Sequence, residues 1–370
     1  MDAISDLTFS DQIFDIGFHP NRDLIATALI TGSVFLHQFS TEEACRSVEF
    51  SRDGNVLFSS SSDGSVAVCD VNTGTAFASI VAGSVLHTIE KAHEHPVYCS
   101  RVYDETMLAT GDDNGIVKVW DIRTAKDGVK VKHSIEENID FISDMCSYHD
   151  KGQILSSSGD GTMSVYDIRQ VLLQTCSLSQ GRLFAQSDSL EEELLCITLL
   201  KHGKKIVVGG RDGALSIFTY EYFGDPNDRF LGHPRSVETM VMIDQDTVCT
   251  GSSDGLIRLV QIHPNKLLGV IGEHDDFPIE RIRVRDSKDV LASCSHDNLV
   301  KFWDIRSLYE ADEAGEGAEA EEDTKVDGEE APKESAETGA DEDDAGGDDA
   351  GGGDAGGDDG AGAAKSETTG

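Results

Sequence analysis

A tight-turn segment that recurs along the chain constrains the fold more than any other feature. In residues 110–123, the pair Asn114-Gly115 demands a positive φ at a tight turn, and the residues after it alternate between two faces. That pattern is typical of a β-hairpin. Similar turns stand at Asp63-Gly64, Asp160-Gly161, Asp212-Gly213, Asp254-Gly255, Asp297-Asn298 and, in a weaker form, Thr31-Gly32. Seven copies indicate a repeat architecture.

The spacing of these copies predicts the overall architecture. A period of about 40 to 45 residues is typical of a four-stranded propeller blade, and seven such units fill most of the 370 residues. The chain shows no segment with the periodicity of a helix. We therefore expect an all-β, seven-bladed β-propeller over residues 1–308, followed by a tail over residues 309–370.

The two ends of the ring need separate explanations. After Arg306 the chain turns acidic at once and supplies no outer strand for the last repeat, so residues 6–10 are predicted to fill that place and close the ring. The first repeat is short, because Gly32 precedes Gly64 by only 32 residues. Its outer strand is expected to be missing or cut short, which would leave the first blade incomplete. Residues 75–84 are predicted to be an insertion in the second repeat.

Charge separates the tail from the rest of the chain and argues against some partners. The formal net charge is −39, and from Glu310 onward 23 acidic residues face three lysines. This segment also lacks aromatic residues and cannot bury enough apolar area to fold, so it is predicted to be disordered. It would act as a solubilising tail or as an electrostatic arm for basic partners. The remainder is acidic as well, which argues against direct binding to nucleic acid.

Several polar positions in the repeats resemble those of WD-repeat propellers. In that family a His entering the blade, a Ser or Thr on the second strand, the Asp of the tight turn and a Trp on the third strand form a buried hydrogen-bond chain. Each bond contributes about 1 kcal/mol net, and orphaning a buried member costs more. These side chains are therefore interpreted as structural, and not as a catalytic or metal-binding set. The resemblance assigns His274, Ser293, Asp297 and Trp303 to the seventh repeat, His93, Thr110 and Trp120 to the third, with Asn114 where the Asp belongs, and His233, Thr250 and Asp254 to the sixth, with Val260 in place of Trp.

No arrangement of residues indicates catalysis, a cofactor or a metal. The sequence contains no nucleophile elbow, phosphate loop, HExxH pair or zinc-spaced Cys/His cluster. The eight cysteines show no CxxC spacing, and Cys45, Cys99 and Cys196 are predicted to be small core residues in the first strands of their repeats. A signal peptide and an apolar run long enough for a bilayer are also absent. We expect an intracellular, reduced, non-enzymatic protein.

Three arginines follow the third strands of their repeats on one rim of the predicted ring. Arg123, Arg169 and Arg306 each end an Asp-Ile-Arg sequence. This pattern resembles the box by which many WD-repeat substrate receptors dock onto the DDB adaptor of cullin-4 ubiquitin ligases, and a guanidinium fork suits such a contact. An Arg is also common at this place in WD repeats without a ligase partner. The three arginines are thus candidate partner-binding residues with a structural alternative.

Segments outside the repeat consensus carry a closer resemblance. Between residues 10 and 306, the chain resembles the WD repeat-containing protein 55 family, most clearly in residues 187–195, 228–234, 251–260, 264–269 and 278–281. The resemblance implies a nuclear or nucleolar scaffold for ribosomal RNA processing and large-subunit assembly. Pre-ribosomal assembly factors would be its partners, with a cullin-4 ligase adaptor as the alternative, and it would act as a monomer within larger complexes. The tail lacks the lysine-rich runs of some members, which leaves the cytoplasm open as a second location.

Overall fold

Antiparallel β-strands joined by turns and loops make up the described part of the chain. The computed structural model describes residues 6–22, 24–31, 33–35, 45–71, 76–77, 80–81, 84–123, 130–168 and 182–309. The described helical structure is a 3-10 turn at His149–Lys151 and a helical turn over residues 306–309. Gly32, Arg169 and residues 310–370, which make up nearly all of the predicted tail, lie outside the described ranges.

The strands are numbered along the chain and grouped by the repeat to which they belong. The chain begins with β1 (Leu7–Thr8), and the first repeat supplies β2 (Ile13–Phe18) and β3 (Ile25–Leu29). The second supplies β4 (Cys45–Phe50), β5 (Val56–Ser61), β6 (Val66–Asp70), β7 (Ala76–Phe77), β8 (Ile80–Val81) and β9 (Ser84–Ile89). The third has β10 (Val97–Val102), β11 (Met107–Asp112), β12 (Ile116–Asp121) and β13 (Lys130–Glu136); the fourth has β14 (Ile142–Tyr148), β15 (Gln153–Ser158), β16 (Met163–Asp167) and β17 (Arg182–Gln186). The fifth has β18 (Leu194–Leu200), β19 (Lys205–Gly210), β20 (Ala214–Thr219) and β21 (Asp228–Leu231); the sixth has β22 (Val237–Met242), β23 (Thr247–Ser252), β24 (Leu256–Gln261) and β25 (Lys266–Glu273); the seventh has β26 (Ile279–Val284), β27 (Val290–Ser295) and β28 (Leu299–Asp304).

Six repeats form four-stranded sheets, which are blades two to seven of a β-propeller. The expectation of seven blades is wrong, because the described residues of the first repeat form the two-stranded sheet β2–β3, extended by an isolated bridge between Ala28 and Val34. The sequence supplies too few residues between Val34 and Cys45 for an outer strand and the two loops that it would need. The ring stays continuous, because β2 packs against both β26 of blade seven and β4 of blade two.

The tight turns and the closing strand follow the sequence predictions. β1 adds antiparallel to β28, with Leu7 opposite Val300, and so completes blade seven with a strand from the start of the chain. The closing strand predicted at residues 6–10 is confirmed. The insertion predicted at residues 75–84 contains the small hairpin β7–β8, ahead of the outer strand β9. Positive φ values between 65° and 84° occur at the turn residues Gly64, Gly115, Gly161, Gly213, Gly255 and Asn298, a conformation that glycine and asparagine adopt most readily.

Side chains at one position of the inner strands fasten each sheet to the next. Asp15 Oδ2 accepts a hydrogen bond from the backbone N–H of Val48 in the next blade at 2.9 Å. Hydrogen bonds between such a side chain and the backbone of the next blade recur around the ring, and an ion pair between Arg281 Nε and Asp15 Oδ1, 3.3 Å apart, closes it. These contacts form a closed circuit of inter-blade bonds. The other members are Ser47 with Ser100 N, Cys99 with Ile142 O, Asp144 with Ile197 N, Cys196 with Val237 O and Thr239 with Ile282 N.

The cysteines of the inner strands lie in the apolar core, as predicted. Cys45, Cys99 and Cys196 are free thiols with almost no exposed surface. Burial raises the pKa of the Cys45 thiol to about 12 and raises the pKa of Cys99 above its usual range. These thiols are therefore protonated at neutral pH, which makes them packing residues instead of nucleophiles.

Candidate partner-binding site

The third strands of blades three and seven end in the same compact unit. The guanidinium of Arg123 folds back onto Asp121, with Nε 2.9 Å from Oδ1 and 3.1 Å from Oδ2. Arg306 makes the same two contacts with Asp304 at the same distances. The intervening Ile122 is buried, as is its counterpart in blade seven. Both arginines lie on one rim, because third strands run in the same direction around the ring.

These two arginines are exposed, but a neighbouring carboxylate already engages each of them. The side chains of Arg123 and Arg306 are 64% and 46% exposed. The hydrogen bonds from these arginines lower the pKa of Asp121 and Asp304 to about 2, so both acids are ionised at neutral pH. A partner can reach the outer edge of each guanidinium, although its charge is balanced within the unit. The third candidate, Arg169, lies outside the described residues.

Blades three and seven contain hydrogen-bond chains of His, Thr or Ser, Asp and Trp. In blade seven, His274 Nδ1 lies 2.7 Å from Asp297 Oδ2, and Nε2 lies 2.7 Å from Ser293 Oγ. The indole of Trp303 donates to the same hydroxyl at 2.8 Å. Because an ionised carboxylate only accepts, Nδ1 carries the imidazole proton and Nε2 accepts from the Ser293 hydroxyl. Burial lowers the pKa of His274, which keeps the imidazole neutral.

Blade three builds the same chain with a different acid from the one that the sequence spacing indicated. His93 Nε2 lies 2.7 Å from Thr110 Oγ1, and Trp120 donates to that hydroxyl at 2.8 Å. The acid is Asp112, whose Oδ2 lies 2.8 Å from His93 Nδ1. The place expected for Asn114 in this hydrogen-bond chain is therefore wrong. Asp112 supplies the carboxylate, and the backbone N–H of Asn114 donates to Asp112 Oδ1. Asp112 is the last residue of β11, so an acid two residues before Asn114 reaches the imidazole.

Blade six also differs from the hydrogen-bond chain that was predicted for it. His233 Nε2 lies 2.8 Å from Thr250 Oγ1, but Asp254 is held by Arg258 through two hydrogen bonds, of 3.0 and 2.6 Å. The pairing of Asp254 with His233 that the resemblance implied is thus wrong, because the guanidinium of Arg258 captures the carboxylate. Within the described ranges, His233 Nδ1 is buried without a hydrogen-bond partner. Burial lowers the pKa of His233 to about 4.

Blade four contains a network that the sequence reasoning missed. Tyr166 replaces the Trp, and its hydroxyl donates to Asn138 Oδ1 at 2.7 Å. The amide of Asn138 donates in turn to Thr162 Oγ1 at 2.9 Å and to Asp160 Oδ2 at 3.2 Å. Asn138 lies in the loop that enters the blade, where His93 lies in blade three. That matching position was the available signal, since an amide can replace an imidazole as a combined donor and acceptor.

Charged side chains that the sequence reasoning also missed fill the centre of the ring. Arg281 of β26 lies 3.3 Å from Asp15 of β2 and 3.6 Å from Asp144 of β14. Because β26 and β14 are not neighbours in the ring, the second contact crosses its centre. We call these side chains the channel ion cluster: Asp15, Glu49, Arg101, Asp144, Arg281 and Arg283.

The channel ion cluster fastens blades together and balances its own charge. Arg101 NH1 lies 3.1 Å from Glu49 Oε1, and Arg283 NH2 lies 3.5 Å from Asp15 Oδ1. Burial raises the pKa of Glu49 and lowers the pKa of Arg283, because both charges are removed from water. The signal was a charged residue at the third position of an inner strand, as Asp15 is in β2 and Arg281 is in β26. Its three arginines and three carboxylates balance in formal charge, and their ion pairs join blades around the channel.

Neither a metal site nor a membrane span emerges from the described part of the chain. Its His, Cys, Asp and Glu side chains form no group of three or more that could hold a metal ion. No helix within the same ranges is long and apolar enough to cross a membrane.

Comparison with known proteins places the chain in a family. The family model described as WDR55 matches residues 4–308. The chain belongs to the WDR55 family. A WD repeat-containing protein 55 homolog of Dictyostelium discoideum is 36% identical over 323 residues, which cover 84% of this chain and 73% of the relative. WD repeat-containing protein 55 of Arabidopsis thaliana is 33% identical, covering 82% of this chain and 83% of the relative, and that of Homo sapiens is 32% identical, covering 83% and 78%.

Membership of the WDR55 family agrees with the geometry of the ring. The relatives named above are WD-repeat proteins, and none of their names is that of an enzyme. WD-repeat propellers generally act in protein–protein interaction, which suits a ring whose buried polar groups bond mainly to one another. The accessible chemistry of this WDR55 family member therefore lies on its two rims and its outer strands.

Proposed function

We propose that this chain is a non-enzymatic scaffold that joins other proteins during nucleolar ribosomal RNA processing and biogenesis of the large ribosomal subunit. The observation that carries the proposal is the match of residues 4–308 to the WDR55 family. Its partners would be pre-ribosomal assembly factors, bound by the chain as a monomer within larger complexes. The acidic tail beyond Tyr309 would contribute contacts with basic partners, and the nucleus and nucleolus would be its location.

The structure supports a scaffold because its buried polar side chains already form hydrogen bonds mainly with one another. The His, Thr and Asp side chains that could suggest catalysis are hydrogen-bonded within blades, as His93 is to Thr110 and Asp112. The central channel holds arginines and carboxylates in equal number, beside a cavity of about 220 Å³ lined by Glu49, Arg101 and Arg283. What remains for partners is a rigid ring with two separate rims, which is typical of proteins that hold several partners at once.

Depletion of the protein tests the ribosomal role. We expect unprocessed precursors of large-subunit ribosomal RNA to accumulate, and wild-type protein to restore processing. The matched control is re-expression of a variant with Asp15→Ala, which should be destabilised and should rescue poorly. Normal precursor levels after complete depletion would contradict the proposal, whatever the location of the protein.

The second candidate function is that of a substrate receptor on the DDB adaptor of a cullin-4 ubiquitin ligase. Two exposed Asp-Ile-Arg units on one rim favour it, since each presents the outer edge of a guanidinium. Replacement of Arg123, Arg169 and Arg306 by Ala should abolish capture of the adaptor. Replacement of Arg211 and Arg235, two exposed arginines on the opposite rim, is the control. Unchanged capture by the triple variant would exclude this function.

A further inference from the structure

A loop outside the repeat consensus lines a cavity where blades four and five meet. Residues 187–193 join β17 to β18, and the cavity beside them has a volume of about 390 Å³. The loop is fastened to the tight turn of blade four, because Leu190 N donates to Gly161 O at 2.9 Å and Ser189 Oγ donates to Asp160 O at 2.8 Å. The cavity therefore has a wall fixed by hydrogen bonds and opens on the rim that carries the tight turns.

The cavity lies where blade five lacks the hydrogen-bond network found inside its neighbouring blades. Leu190 occupies the place of the entering His, since its backbone N–H bonds to the preceding turn glycine as that of His93 does. Leu190 packs in one apolar cluster with Phe218, which replaces the Trp. With no imidazole to bind, Asp212 of the turn bonds instead to Arg229 at 2.7 Å. The space beside this ion pair stays open.

Two carboxylates at the edge of the cavity, Glu191 and Glu192, lack among the described residues the cationic partner that the acids around them have. Glu193 pairs with Arg211, and Asp212 pairs with Arg229. Glu191 and Glu192 are exposed and make no ion pair or hydrogen bond within the described part of the chain. Leu190 and Leu194 form the apolar wall below them. The lining thus combines an apolar wall with unpaired negative charge at the entrance.

We infer that this cavity receives a lysine or arginine side chain from a basic segment of a partner protein. The aliphatic stem would lie against Leu190 and Leu194 while the cationic head meets Glu191 and Glu192, because such side chains bury their stems and keep their charge near water. The volume falls within the range of pockets that bind small ligands, so one long side chain fits. Loops of the same rim in other blades add the exposed acids Glu137, Asp140 and Asp276, which outnumber the exposed Arg211 and Arg235 there and favour a partner with several positive charges. This inference deepens the proposed scaffold function and rests on it.

The test is binding of a fluorescent peptide of repeated Gly-Lys-Ser-Arg units to the full chain at about 0.15 M ionic strength, where long-range attraction is largely screened. The double variant Glu191→Gln/Glu192→Gln should bind about tenfold more weakly, equivalent to about 1.4 kcal/mol. The control Glu105→Gln/Asp150→Asn removes the same charge from exposed positions on the opposite rim and should change affinity less than about twofold. The acidic tail is identical in all three proteins, so its contribution cancels.

A second variant separates the cavity from its charge. Ser216 lines the cavity from β20, and Ser216→Leu fills it without altering any charge. We expect the same loss of affinity, provided that the variant keeps its cooperative unfolding transition; if it does not, the Glu191→Gln/Glu192→Gln result decides. Equal losses in that double variant and in the opposite-rim control, or no loss in either, would overturn the inference. Ribosomal RNA processing by the double variant is measured separately, so failure of the cavity and failure of the scaffold role are distinguishable.

Discussion

Replacement of Asp15 by Ala should destabilise the whole ring. Asp15 is fully buried, accepts hydrogen bonds from the backbone N–H groups of Ile16 and Val48, and lies within ion-pair distance of Arg281 and Arg283. Its loss leaves two buried guanidinium groups short of a carboxylate, a change that costs about 3 to 5 kcal/mol at other buried pairs. Among the described residues the first repeat has two strands, so few other contacts can replace this one.

The assay is urea unfolding, followed by the fluorescence of the two tryptophans, Trp120 and Trp303. Both report on hydrogen-bond chains inside blades, in blades three and seven. We expect the free energy of unfolding to fall by about 3 to 5 kcal/mol for Asp15→Ala. Asp225→Ala, at an exposed loop position whose side chain makes no hydrogen bond or ion pair within the described residues, should change it by less than about 0.5 kcal/mol. Equal stability of the two variants would refute the role given to the inter-blade circuit.

Three further predictions follow from the closing strand, the hydrogen-bond chains and the buried imidazoles. Deletion of residues 1–10 should expose the edge of β28 and cause aggregation on size-exclusion chromatography, whereas deletion of residues 310–370 should leave a monodisperse protein. Trp120→Phe removes the indole donor to Thr110 and should lower the free energy of unfolding by about 1 to 3 kcal/mol in the same urea assay. Because burial lowers the pKa of His233 to about 4, the unfolded chain binds its proton first; stability should be complete above about pH 6.5 and decline toward pH 4. His233→Gln should make that decline shallower in urea titrations across this range, and an unchanged slope would contradict the assignment.

The backbone of the fold was predictable because local residues determine it. Asx-Gly pairs require left-handed turn residues, and Gly115 and Gly161 adopt them with a φ of 81°. The closing strand at residues 6–10 was predicted because the last repeat lacks an outer strand, and a blade without an outer strand leaves an open edge. The count of blades failed at the first repeat, where a turn signal was present but the chain between Val34 and Cys45 was too short for the remaining strands.

Partners in the polar networks were harder to predict, because they depend on side-chain reach instead of spacing. Asp112 takes the place expected for an acid at position 114, and Arg258 takes Asp254 away from His233. The channel ion cluster joins residues far apart in sequence, as Arg281 joins Asp15. Only the closed ring brings such groups together, so a local pattern can mark a charged residue on an inner strand but cannot identify its partner.

The most direct test of the scaffold function is affinity purification of the tagged protein from cells, with and without RNase treatment. We predict that large-subunit precursor particles and their assembly factors co-purify, and that a core of these proteins stays bound after RNase because the contacts are between proteins. Recovery of the protein without any pre-ribosomal component, or complete loss of those components after RNase, would contradict the account.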